Sequence, residues 1–154
     1  MTAIVGVSAN GVRVPLSRDG AARIARAVLR SERVSHAMLS ITFVSNAGIR
    51  ALNRKHLRRA GLTDVIAFWF RRPTRGAPVV GDVYIAPGVA RASARANDVG
   101  VREELVRLIV HGTLHVLGYD HPARETRTRS AMWRKQERLV QRLSARRRRC
   151  SRGP

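Results

Sequence analysis

Apolar and polar positions follow two rhythms along this chain, and the changes between them mark its elements. Residues 3–7 and 12–16, around Asn10-Gly11, read as a short hairpin or as one strand with a turn. From about Asp19 the period lengthens to that of a helix, with Ile24, Ala27 and Val28 on its apolar face and an end near Arg33. Met38–Val44 alternates again as a β-branched strand, and Ser45 and Asn46 supply N-cap oxygens for a helix through about His56. Asp64–Phe70 is a second strand, apolar enough to be expected at the centre of a sheet, and Gly81–Ala86 is a further one. Pro87 sits where a helix start accepts it, opening a helix to about Asn97.

The most regular segment comes next. Leu105, Leu108, Ile109 and Leu117 fall at helical spacing through Val101–Leu117, and Gly118 can end that helix in a left-handed conformation. A last helix is expected from about Ala123 to Ser144, with a stripe of Met132, Leu139 and Leu143 beside Trp133 and Val140. The sum is an α/β (α+β) domain over residues 1–145: a small mixed sheet of three to four strands packed against four to five helices. A basic tail, 146–154, is expected to be disordered because its like charges repel and nothing in it can be buried.

Composition adds a partner to this picture. Thirty Lys and Arg against ten Asp and Glu give a net charge of +20, a field that attracts polyanions such as nucleic acid. Nearly all these cations are arginines; GC-rich codon use accounts for Arg over Lys, but not for the shortage of acids. The single cysteine, Cys150, excludes an intrachain disulfide framework and a cysteine-based zinc site. No apolar stretch is long enough to cross a bilayer, and the N-terminus lacks the pattern of a secretory signal, so the cytoplasm is expected.

The chemistry concentrates in residues 111–121, His-Gly-Thr-Leu-His-Val-Leu-Gly-Tyr-Asp-His. His111 and His115, four apart on a helix, project from one face about one turn apart. After the turn at Gly118, His121 can return as a third ligand. Three neutral imidazoles and no thiolate suit one zinc ion per chain. Such a set leaves a fourth position for water, which is commoner in catalytic than in structural zinc sites. The spacing matches that of metzincin peptidases, except that Gly112 stands where their general-base Glu would be, which argues against peptide hydrolysis. A glycine inside a helix costs about 1 kcal/mol relative to Ala, which points to close packing or to space for a substrate. His36 and His56 have no partner at ligand spacing and read as ordinary polar residues.

The same segment resembles the signature of the YbeY family, bacterial endoribonucleases implicated in ribosomal RNA maturation. Leu52-Asn53, Thr63–Phe68, Gly81–Ile85 and Glu104-Leu105 are similar to further family motifs in the same order, and Met132 and Glu137 fit its C-terminal helix. The resemblance implies a metal helix lining a cleft, a single-stranded RNA substrate and a role with the small ribosomal subunit. Two departures stand out. His56-Leu57 replaces the family's Tyr-Arg, whose arginine is thought to contact phosphate, so Arg58 and Arg59 are the candidates to take over that contact. Ala67 replaces a family serine.

The reading that follows is zinc-assisted cleavage of RNA phosphodiesters with an unassigned proton-transfer group. Asp120 is a candidate to move the proton or to orient a histidine, Glu104 is expected in a salt bridge or at the core edge rather than in catalysis, and Asp64 and Asp82, at strand starts, fit turn-capping as well as chemistry. The alternative is a zinc-stabilised RNA-binding ribosome assembly factor with little nuclease activity.

Overall fold

The computed structural model describes residues 2–57, 61, 63–119 and 131–150, with residues 145–150 as backbone only. In chain order the elements are β1 (Thr2–Ala9), α1 (Arg18–Ser31), β2 (His36–Phe43), α2 (Asn46–Leu57), β3 (Val65–Trp69), β4 (Val79–Ile85), α3 (Pro87–Ala96), α4 (Val101–Val116) and α5 (Ala131–Cys150). These form the mixed α/β architecture that the periodicity predicts. The strands lie in the order β1-β2-β4-β3, with β1, β2 and β4 parallel and β3 antiparallel to β4.

Three expectations change. Of the two readings of residues 3–16, one strand with a turn holds and the hairpin does not: 12–16 is not a strand, Gly11 turns the chain at a φ of 63°, and β1 finds its partner across α1, pairing from Thr2 with His36 to Ala9 with Phe43. β3 is an edge strand and β4 is central. The run Val65–Trp69 is apolar because helices cover both of its faces, not because strands flank both of its sides. Val65 and Ala67 join the main core with α4, whereas Ile66 and Phe68 pack with Leu52, Ile49 and Tyr84 on the opposite face. Finally, helix α5 continues through Arg146–Arg149 to Cys150, where disorder is expected; arginine is a good helix former and can prolong a helix that is already nucleated.

Caps follow the sequence closely. Ser17 Oγ accepts from the Gly20 amide and Ser45 Oγ from the Gly48 amide, both at 3.0 Å. On α1 the buried face is centred on Ala21, Ala25 and Val28, so Ala27 lies at its margin. No helix among the described residues is long and apolar enough to cross a membrane.

Helix α4 occupies the centre of the molecule. It packs on β3 and β4 and touches α1, α3 and α5, so its residues from Glu104 to Leu114 are buried nearly all the way round. Glycines make this close approach possible. A Cβ on Gly112 would lie 2.5 Å from Val83 Cγ1, and one on Gly81 would collide with Val116. Gly112 is therefore a packing residue facing the sheet. A glutamate there would enter the core rather than the cleft.

Candidate metal centre

The C-terminal turns of α4 set the two histidines. His111 and His115 project from the same face, with ring centroids 4.5 Å apart and planes at 73°. Glu103 and Glu104 in the first turn complement the positive end of the helix dipole. At the other end the Gly118 amide bonds to the His115 carbonyl at 2.9 Å and the Tyr119 amide to the Leu114 carbonyl at 3.1 Å. Gly118 has a φ of 96°. Together these form a Schellman closure, the glycine-ended turn expected from the sequence, and it reverses the chain directly after His115.

His111 is 8% exposed, and its Nδ1 lies 2.6 Å from Gln136 Oε1 on α5. The amide nitrogen of Gln136 donates to Glu137 Oε2 at 3.2 Å, so its oxygen must face the imidazole. His111 Nδ1 therefore donates to Gln136 Oε1, which makes Nε2 the nitrogen that would ligate a metal. Glu137 is gripped in turn by Arg107, whose Nε and Nη2 reach its two oxygens at 2.9–3.1 Å. Arg107 also donates to Glu104 Oε2 at 3.0 Å. Burial pushes the Glu137 carboxyl up, but hydrogen bonds from Arg107 and Gln136 outweigh it and hold the group below its ordinary value. Arg107 is held above its ordinary value, chiefly by its hydrogen bonds to Glu137. The expected salt-bridge role of Glu104 is thus observed.

A second polar cluster secures the chain just past the helix. Tyr119 Oη donates to Glu32 Oε2 at 2.6 Å, and Lys135 Nζ donates to Glu32 Oε1 at 2.7 Å and to Tyr119 Oη at 2.9 Å. Burial raises the Glu32 carboxyl, but hydrogen bonds from Lys135 and Tyr119 bring it below its usual range. Lys135 is raised, mainly by its bond to Glu32.

The histidines open into a cleft of about 390 Å³ lined by Leu57, Val65, Ile66, Ala67, Trp69, His111 and His115. That volume lies within the usual range for small-ligand sites. Its walls come from α2, β3 and α4, and no carboxylate lines it among the described residues. Asp82 is not at a strand start: it lies within β4 and accepts from Ser40 Oγ at 2.7 Å. Asp64 precedes β3, where its carbonyl accepts from the Ala86 amide at 2.9 Å. His56 rests edge-on against Phe68, with centroids 5.2 Å apart. Buried Asn53 donates to the Gly61 carbonyl at 3.2 Å, which ties the loop after α2 to that helix.

His121, Asp120, Arg58 and Arg59 lie outside the described residues. Among those described, no group of three or more His, Cys, Asp or Glu forms a metal site. The pair does fit zinc in its donor chemistry: two adjacent imidazoles, one with its tautomer fixed by a carboxamide. Gln136 was not singled out from the sequence. A signal was present, because it occupies a buried position on the stripe of Met132, Leu139 and Val140, where a polar side chain needs a partner.

The pattern of the Endoribonuclease YbeY family matches residues 10–144. The chain belongs to the YbeY family. An Endoribonuclease YbeY from an Anaeromyxobacter species is 39% identical over 110 residues, which cover 70% of this chain and 57% of that relative. One from Francisella tularensis subsp. holarctica is 31% identical over 111 residues, 68% of each chain. The chain thus spans little more than half the length of the first of these YbeY relatives. The solution structure of a Thermotoga maritima protein matches the fold with a TM-score of 0.66 at 22% identity, covering 94% of this chain and 92% of that one.

Proposed function

We propose that this YbeY-family protein is a zinc-dependent, single-strand-specific endoribonuclease that acts in the cytoplasm, in ribosomal RNA maturation and on the small ribosomal subunit. The observation that carries the reading is the His111–His115 pair, with Nδ1 of His111 committed to Gln136 and both rings on an open cleft. The endoribonuclease activity for which the relatives are named and the +20 charge support RNA as the substrate.

His111, His115 and His121 would hold the ion. When bound, zinc supplies Lewis acidity toward a phosphodiester oxygen. The chain's own contributions are distinct. Gln136 keeps His111 in its ligating tautomer. Leu57, Val65 and Trp69 give the cleft walls that limit water around the reacting phosphate. The excess of arginine draws the polyanion in, with Arg58 and Arg59 as candidates for phosphate contact.

A specific observation favours the second reading, a zinc-stabilised assembly factor with little nuclease activity. Among the described residues, two of the carboxylates weighed for the chemistry are otherwise engaged: Glu104 with Arg107 and Asp82 with Ser40. Turnover separates the two. The purified protein should cut a single-stranded RNA and spare a duplex of the same sequence, and His115→Ala should remove cutting while circular dichroism remains native. Equal residual cutting by both proteins would favour the assembly factor.

A further inference from the structure

We propose that Trp69 is a stacking platform for an unpaired nucleobase of an RNA strand whose backbone lies at the histidine pair. This rests on the nuclease reading above and gives it a source of preference for single strands. Trp69 is the last residue of the edge strand β3 and is 55% exposed. Alternation along β3 puts it on the same face as Val65 and Ala67, the row that turns toward α4, and it lines one cleft with His111 and His115. Its cross-strand partner is Gly81, the glycine that lets Val116 approach β4. The indole is thus set beside the end of α4, one residue from His115 in the register of that contact.

No ring stacks on Trp69 among the described residues, and its large face is open to a ligand. The surroundings select the occupant. Arg71 and Arg75 are exposed on the loop that follows, and Arg72 braces that loop by donating to the Ala77 and Arg75 carbonyls. An aromatic face followed by exposed guanidinium groups, on a chain of +20 charge, complements a base attached to phosphates rather than an apolar peptide or a lipid tail. A base inside a duplex has both faces covered by its neighbours, so only an unpaired one can take this position.

The test measures the affinity of a single-stranded RNA hexanucleotide at fixed salt, before measurable cutting. A ribose-phosphate strand of equal length without bases is the control. Trp69→Ala should weaken binding of the intact strand about 5- to 150-fold, the range for loss of one base–aromatic stack. Trp69→Phe, which keeps a ring, should stay within about threefold of wild type. The baseless strand should bind wild type and Trp69→Ala equally. Unchanged affinity of Trp69→Ala for the intact strand would overturn the proposal, as would an equal loss for the baseless one. Cutting is followed in parallel. Base-dependent loss at Trp69 with no cutting by wild type would remove the nuclease reading and keep the stacking site; cutting without that loss would do the reverse.

Discussion

Among the described residues, two polar clusters tie α5 to its neighbours, and they use adjacent residues for different ends. Gln136 and Glu137 turn toward Arg107, Glu104 and His111. Lys135, one residue earlier and about 100° round the helix, turns toward Glu32 and Tyr119. The first chain of bonds ends on an imidazole nitrogen and so acts on the chemistry of a ligand. The second ends on a phenol past the helix and so acts on the path of the backbone. Similar charge pairs and similar burial therefore do not imply a similar role; what matters is the atom at which the network stops.

The largest expected effect comes from cutting the first network at that atom. Gln136→Leu should weaken zinc binding about 10- to 100-fold, the usual cost of losing the partner that orients a ligating histidine. Gln136→Glu keeps an acceptor at Oε1 but sets a second carboxylate against Glu137 Oε2, which Gln136 Nε2 meets at 3.2 Å, so it should recover only part of that loss. Calorimetric titration of metal-stripped protein checks both.

Lys135→Met should act differently. Removing one partner of this charged, hydrogen-bonded cluster should cost about 1 kcal/mol in urea unfolding, a low value because Lys135 is one-third exposed. Zinc affinity should remain within about threefold. A loss as large as that of Gln136→Leu would erase the distinction between the clusters.

The smallest effect is in the pH dependence, where the two differ in shape. Glu137 and Glu32 both sit below their ordinary values, so each contributes stability above the unfolded carboxylate pKa that is lost as pH falls through the lower folded one. Lys135 sits above its ordinary value, so its contribution is complete below the unfolded ammonium pKa and is lost as pH rises through the higher folded one. Arg107 keeps its charge throughout. The Lys135 cluster should thus weaken at both extremes and the Arg107 cluster only in acid. Thermal melts across pH should show that Lys135→Met flattens the alkaline limb of Tm, whereas Gln136→Leu leaves it unchanged.

Much of the fold was legible because it depends on local rules. Ser45 caps, Pro87 opens a helix and Gly118 closes one, each through chemistry visible in a few residues. The edge position of β3 was not legible, since an apolar run records how many faces are covered and not how many strands pair with it. The hairpin reading of 3–16 failed for a related reason: β1 takes its partner from beyond a helix, a choice that neighbouring residues do not encode. At the site, the spacing of His111 and His115 gave their shared face. The Gln136 contact joins residues 25 apart in sequence, on two helices whose packing had to be seen. Gly112 carried the right signal, a cost in helix propensity, with two readings, and only its contact with Val83 decided for packing.

The central claim is that the imidazoles on the last turns of α4 are held ready for a metal ion. Zinc titration of the stripped chain tests it most directly. One saturable site per chain, abolished in His115→Ala without loss of fold, is the predicted result. No saturable site, or equal affinity in wild type and His115→Ala, would contradict it.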